Sequence, residues 1–252
     1  MTTKTIGLVA FDLDDTLAPS KSPLPAEVAQ ALLDLLAVRP VRIISGGQYG
    51  QFESQVIANL PDSPLLEGLH LMPTNGTRYH SYVDGQWVEQ YAHELSPELR
   101  DRAMAALEEQ AKRLGLWESN TWGPILEDRS SQVTFSALGQ AAPVDAKKAW
   151  DPDGSKRARL REAVAPHVPE LDVHAGGSTS IDITTRGIDK AYGISRLAEI
   201  LGLSLGDILF VGDRLMPGGN DFPVIALGVQ THAVTGWDDT LDFVRGLLPF
   251  LS

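Results

Sequence analysis

The chain has 252 residues, with 21 Lys and Arg against 33 Asp and Glu for a formal charge of −12, 43% hydrophobic residues and no cysteine. That composition is globular, and it excludes collagen-like, disordered and disulfide-stapled classes together with thiolate metal sites and cysteine nucleophiles. The acidic balance argues against nucleic acid as a partner, and the longest apolar runs fall far short of the roughly 20 residues that span a bilayer. No secretory pattern precedes FDLDD, so a cytoplasmic protein acting on a small ligand, with no membrane partner, is expected.

In chain order, Ile6–Phe11 is a continuous apolar run of the kind buried on both faces of a parallel sheet, and it breaks directly into DLDDT. Pro25 then starts an amphipathic helix carried by Val28, Leu32 and Leu35. Val41–Ile44 predicts a second strand, ended by Ser45-Gly46-Gly47, and Gln51–Leu60 a second helix. From Thr77 the pattern alternates and becomes aromatic, with Asp84-Gly85 as a hairpin turn. A long helix over Ser96–Leu114, strands at Gln132–Leu138 and Ser178–Ile183, and a basic helix at Ser155–Val164 follow. After Gly187 the strand–helix rhythm returns, with a helix over Lys190–Leu201, strands at Ile208–Val211 and Val229–Val234, and helices near Phe222–Leu227 and Thr240–Leu248. The expected fold is α/β, a doubly wound and mostly parallel sheet built from residues 1–83 and 187–252, with an inserted α+β domain at 84–186.

Asp12, Asp14 and Asp15 follow one apolar strand, and Gly212-Asp213 with Asn220-Asp221 follows another. An acidic turn after a strand is common, but parallel strands deliver their carboxyl ends to one edge, so these two clusters can converge in one crevice. Like charges gathered there call for a cation, and hard oxygen donors without cysteine or clustered histidine favour Mg2+. Ser45 offers a hydroxyl, the Gly46-Gly47 backbone offers N–H groups to a phosphate, and Lys190 near a helix start adds positive charge.

Phe11 to Leu17, Ser45, Lys190 and Gly212-Asp213 with Asn220-Asp221 resemble, in order and context, the four motifs of the haloacid dehalogenase superfamily. The insert before Lys190 is similar to the type IIB cap of its Cof-like branch. Within that branch, the run from Gly212 to Asp221, Gly187-Ile188-Asp189-Lys190, Thr74-Asn75-Gly76 and the stretch from Gly176 to Asp182 resemble the eukaryotic-type phosphomannomutases. The resemblance implies that Asp12 is the nucleophile of an aspartyl-phosphate and Asp14 the general acid and base. It implies that Asp12, the Asp14 carbonyl and Asp213 ligate Mg2+, supported by Asp221 and Asn220, while Ser45 and Lys190 hold the phosphoryl oxygens.

In the insert, the resemblance places Arg129, Ser180 and Asp182 at the substrate's far phosphate and hydroxyls, with Lys21 near a cationic position of the first motif and Asn75 near the substrate. The chain departs from the mutases at Gln140, where they carry arginine, and at Asp15, where they carry glycine. An amide in place of a guanidinium gives up a charged, bidentate phosphate clamp. On that count, hydrolysis of a sugar phosphate or similar small phosphomonoester ranks first and phosphohexomutase activity second. The sequence does not separate monomer from homodimer.

Overall fold

The computed structural model describes residues 6–251, so residues 1–5, at the head of the segment read for a secretory pattern, lie outside it. Two compact units emerge, one made of the chain up to Ala92 together with the chain from Asp189, the other of His93–Ile188.

The first unit begins with β1 (Leu8–Asp12), whose residues are all buried. Its alternation is legible in the packing: Val9 and Phe11 join one apolar cluster and Leu8 and Ala10 another, on opposite faces of the sheet. Helix α1 (Ala26–Leu36) follows, then β2 (Val41–Ile44), which pairs parallel with β1 so that Asp12 lies beside Ile44. Helix α2 (Tyr49–Gln55) is shorter than the expected 51–60 segment. The α-helix ends at Gln55 with Val56 as its cap, whose N–H still reaches the Phe52 carbonyl, and a single 3-10 turn over Ile57–Asn59 follows.

Strand β3 (Leu69–Met72), not anticipated from the sequence, pairs parallel with β2. The hairpin of β4 (Arg78–Val83) and β5 (Gln86–Ala92) turns at Asp84 and Gly85, both at positive φ (50° and 80°), as a tight two-residue turn requires. Here the expected boundary at residue 84 is corrected. Strand β4 pairs antiparallel with β3 and β5 with β4, so the whole hairpin extends the first unit's sheet and the second unit starts at His93.

The second unit opens with α3 (Pro97–Arg113). The Ser96 hydroxyl accepts from the Leu99 N–H, Pro97 takes the first turn and Ala103, Ala106 and Leu107 are buried. Then come β6 (Leu126–Asp128), β7 (Gln132–Ser136), α4 (Val144–Trp150), α5 (Ser155–Val164), β8 (Leu171–Ala175) and β9 (Ser180–Thr185). The four strands form an antiparallel sheet in the order β6-β7-β9-β8. Val133, Phe135, Ile181 and Ile183 pack with Leu107, Leu160 and Val164 in one core, so the opposite strand positions Gln132, Thr134, Ser136, Ser180 and Asp182 form a polar face.

The chain then returns to the first unit through α6 (Lys190–Leu201), β10 (Ile208–Gly212), α7 (Phe222–Ile225), β11 (Gln230–Ala233) and α8 (Trp237–Leu247). The completed sheet runs β11-β10-β1-β2-β3-β4-β5, parallel from β11 to β3 and antiparallel at the hairpin. Residues of α1 and α8 join the cluster of Val9 and Phe11, and residues of α6 and α7 join that of Leu8 and Ala10, which is the expected doubly wound arrangement. No helix among the described residues is long and apolar enough to cross a membrane.

Candidate active site

Because β1 pairs in parallel with both β2 and β10, the carboxyl ends of all three strands share one edge. Asp12 ends β1, Ser45 follows β2 and Asp213 follows β10. Asp221 is brought to the same edge by the loop after Asp213, and a side chain at Gly212 would collide with the Asp221 carboxylate and the Phe210 ring. Lys190 comes from the other side of the sequence. Asp189 caps α6 by accepting from the Tyr192 N–H at 3.0 Å, which leaves Lys190 as the first helical residue, 1% exposed.

An ammonium buried at a helix N-terminus opposes the helix dipole and must be offset by anions. Lys190 Nζ donates to Asp12 Oδ1 and to Asp221 Oδ1, each over 2.5 Å. The second oxygen of Asp221 accepts from the Arg214 N–H at 3.0 Å. Thr16 completes the cluster: its hydroxyl lies 3.5 Å from both Asp12 Oδ2 and Asp213 Oδ1 and accepts from the Asp213 N–H at 3.1 Å. Thr16 stands within the first motif but is not marked by the sequence as a contact, because its partner lies 197 residues away.

Burial pushes the Asp12 carboxyl up to about 8; the Lys190 ammonium opposes the rise and the charge of Asp221 adds to it. Asp213 is raised by burial and by Asp221. For Lys190, burial favours the neutral amine, yet Asp12 and Asp221 hold the ammonium above its ordinary range. Asp12, Asp213 and Asp221 each place one carboxylate oxygen within 4.8 Å of the others. Three carboxylates against one lysine leave negative charge in excess, and an all-oxygen donor set suits a hard divalent cation, so these residues fit a metal ion.

Beside them, the Ser45 hydroxyl accepts from the Gly47 N–H at 3.1 Å, and the Ser45 carbonyl accepts from the Asn75 N–H at 2.9 Å. Asn75 adopts left-handed geometry (φ 55°) and its amide is the nearest group to Gly46. Ser45, Gly46, Gly47 and Asn75 therefore form one wall.

Asp14 is bound differently from its neighbours. Its Oδ1 accepts from the Lys21 backbone N–H at 2.8 Å, and its Oδ2 accepts from Lys21 Nζ and Gln51 Nε2, both at 2.9 Å. Burial works against its ionisation, but the Lys21 ammonium holds its carboxyl below the ordinary range. Lys21, expected at the substrate, is thus paired with Asp14. Asn220 is exposed, next to buried Asp221.

Arg129, Ser180 and Asp182 belong to the second unit. Arg129 grips Glu127, its Nε at 3.0 Å and a terminal nitrogen at 2.6 Å from the same oxygen. Asp182 Oδ1 accepts from Gln132 Nε2 at 2.8 Å and from Thr134 Oγ1 at 2.7 Å. Ser180 lies 3.3 Å from the Ser136 hydroxyl, to which Gln140 Nε2 donates at 3.0 Å. Gln140 and Ser180 are thus joined through one serine on the polar face.

A family model described as eukaryotic phosphomannomutase matches residues 119–249, just over half of the chain. Phosphomannomutase of Saccharomyces cerevisiae is 24% identical over 247 residues, covering 95% of this chain and 93% of that protein. Human phosphomannomutase 1 is 25% identical over 252 residues, covering 94% and 90% respectively. Among solved structures, IMP-bound Plasmodium falciparum IMP-nucleotidase aligns with a TM-score of 0.71 at 13% identity, over 98% of this chain and 69% of that one. A trehalose-6-phosphate phosphatase related protein aligns with a TM-score of 0.56 at 16% identity, over 96% and 97%. These two structures share the fold.

Proposed function

The chain belongs to the eukaryotic phosphomannomutase family, within the haloacid dehalogenase superfamily of enzymes, and on that premise we propose that it interconverts hexose 1- and 6-phosphates by phosphoryl transfer through Asp12. The observation that carries this reading is the span of the family match, which takes in Arg129, Ser180 and Asp182 of the second unit as well as Lys190, Asp213 and Asp221. A likeness confined to the acidic cluster would support phosphoryl transfer alone. Interconversion therefore stands ahead of the hydrolysis that the sequence ranked first.

An Asp12 oxygen attacks phosphorus, and the bond from phosphorus to the sugar oxygen breaks as the aspartyl-phosphate forms. Asp14, which the Lys21 pair keeps ionised in the free site, gives a proton to the departing oxygen only once it has itself been protonated, and then takes one from the hydroxyl that accepts the phosphoryl group back. Lys190 orients Asp12, while Ser45, the Gly46-Gly47 backbone and Asn75 hold phosphoryl oxygens, with Lys21 and Asn220 at the margin. Asp12, the Asp14 carbonyl, Asp213 and Asp221 would hold Mg2+, whose charge offsets the repulsion between a carboxylate and a phosphate. Arg129, Ser180 and Asp182, in the unit proposed as a cap, would recognise the distal phosphate and hydroxyls.

One observation favours hydrolysis as a second reading. Arg129 already carries the Glu127 carboxylate, and Gln140 brings a neutral amide where the mutases carry arginine. Phosphorus NMR on mannose 1-phosphate with Mg2+ and a catalytic amount of hexose 1,6-bisphosphate separates the two. Accumulating 6-phosphate supports interconversion, and inorganic phosphate alone overturns it. Asp12→Asn should abolish both products and the acid-stable phosphoenzyme trace while leaving the melting curve sharp. Turnover by that variant would remove Asp12 as nucleophile.

A further inference from the structure

We propose that Gln51 is a positioning residue for Asp14, holding the proton-transferring carboxyl in line with the leaving oxygen; this rests on the phosphoryl-transfer reading above. Gln51, Lys21 and Asp14 form a closed triangle. Gln51 Nε2 donates to Asp14 Oδ2 at 2.9 Å, Lys21 Nζ donates to the same oxygen at 2.9 Å, and Lys21 Nζ also donates to Gln51 Oε1 at 2.5 Å. The Lys21 backbone N–H, presented from left-handed geometry (φ 58°), occupies the other Asp14 oxygen.

The two side chains contribute unequally. An exposed ammonium on a flexible stem is a point charge with little directional preference, and solvent screens it. The amide is planar and directional, and it is mounted on the first turn of α2, directly after the Ser45-Gly46-Gly47 wall. Its Nε2 is committed to Asp14 and its Oε1 to Lys21, so the one amide fixes both groups relative to α2. Gly47 makes the reach possible, because a Cβ there would overlap the Gln51 amide. Space is thus left on the loop for a side chain whose terminal atoms end on Asp14 and Lys21.

The test exploits leaving groups. A sugar alkoxide needs a proton as it departs, whereas p-nitrophenolate does not, so a defect in proton delivery appears with the first and not the second. With Mg2+ present, kcat/KM for sugar release from a hexose 6-phosphate should fall on the order of 10- to 100-fold in Gln51→Met and in Gln51→Glu. For nitrophenolate release from p-nitrophenyl phosphate it should fall less than about 3-fold. Equal losses on both substrates would mark Gln51 as merely structural, and no loss on either would also overturn the proposal. Asp14→Asn is the control. If it shows no leaving-group selectivity, the underlying phosphoryl-transfer reading fails; if it does and the Gln51 variants do not, only the positioning role fails.

Discussion

The Lys190 ammonium bridges Asp12 and Asp221, at 2.5 Å from an oxygen of each, and joins the ends of β1, α6 and the β10 loop. All three side chains are buried, so removing the cation strands like charges in a medium that solvates them poorly. Lys190→Met should lower stability by about 3–5 kcal/mol. Mg2+ should return part of that loss, so the rise in Tm on adding Mg2+ should be larger in the variant than in the wild type. A variant with wild-type stability in EDTA would contradict the bridge.

Metal removal gives a second outcome. With Lys190 bonded to both Asp12 and Asp221, the remaining excess negative charge is shared among Asp12, Asp213 and Asp221. EDTA should stop turnover and Mg2+ restore it, and Asp213→Asn should raise the Mg2+ concentration needed for half-maximal rate by about 10-fold or more. A rate indifferent to EDTA would contradict the site.

Gln140 sits within reach of the Ser136–Ser180 pair on the second unit's polar face. A guanidinium placed there would offer a bound phosphate a charge-assisted contact of about 1.5–3 kcal/mol. Gln140→Arg should raise the ratio of interconversion to phosphate release by about 10-fold or more, read by phosphorus NMR. An unchanged ratio would remove Gln140 from specificity.

Arg42, in the middle of β2, is fully buried, and its three guanidinium nitrogens have no hydrogen-bond partner among the described residues. Burial lowers its pKa to about 9, with Tyr91 and Tyr79 pulling the other way. Replacing an unpaired buried cation by an apolar side chain of similar length removes a desolvation cost. Arg42→Met should stabilise the fold by about 1–3 kcal/mol in urea titrations. Destabilisation would mean the guanidinium makes a net favourable contribution.

His70 lies beside Arg42 across β2 and β3, and its Nδ1 is 2.9 Å from the Tyr79 hydroxyl. Burial and then the Arg42 charge bring its pKa from 6.5 down to about 4. The unfolded chain therefore takes up a proton that the folded chain refuses between those values. Stability from this group is complete above about pH 6.5 and declines as pH falls toward 4, by up to about 3 kcal/mol. His70→Phe should flatten that part of the stability profile, and an unaltered slope would contradict the assignment.

What the sequence alone determined is local. Buried strands announce themselves as apolar runs, and acidic residues directly after two of them mark a shared edge, so Asp12, Asp213 and Asp221 were legible before any coordinates, as were Ser45 and the doubly wound core. Partnership between distant residues is set by the folded chain. Strand alternation marks β4 and β5 as a hairpin, but pairing of β4 with β3 rather than with the insert's strands is a non-local choice, and it moved the boundary from 84 to 93. Lys21 reads as a cation for a phosphate until its ammonium is found on Asp14, and Gln51 reads as an ordinary helix residue until its amide is found there too. Arg42 shows the same limit within a single strand: period-two alternation gives its face, but burial without a partner depends on what the rest of the chain packs over it. Side chains of one type serve as surface, ligand or brace according to which distant group they meet, and that meeting is a property of the folded chain.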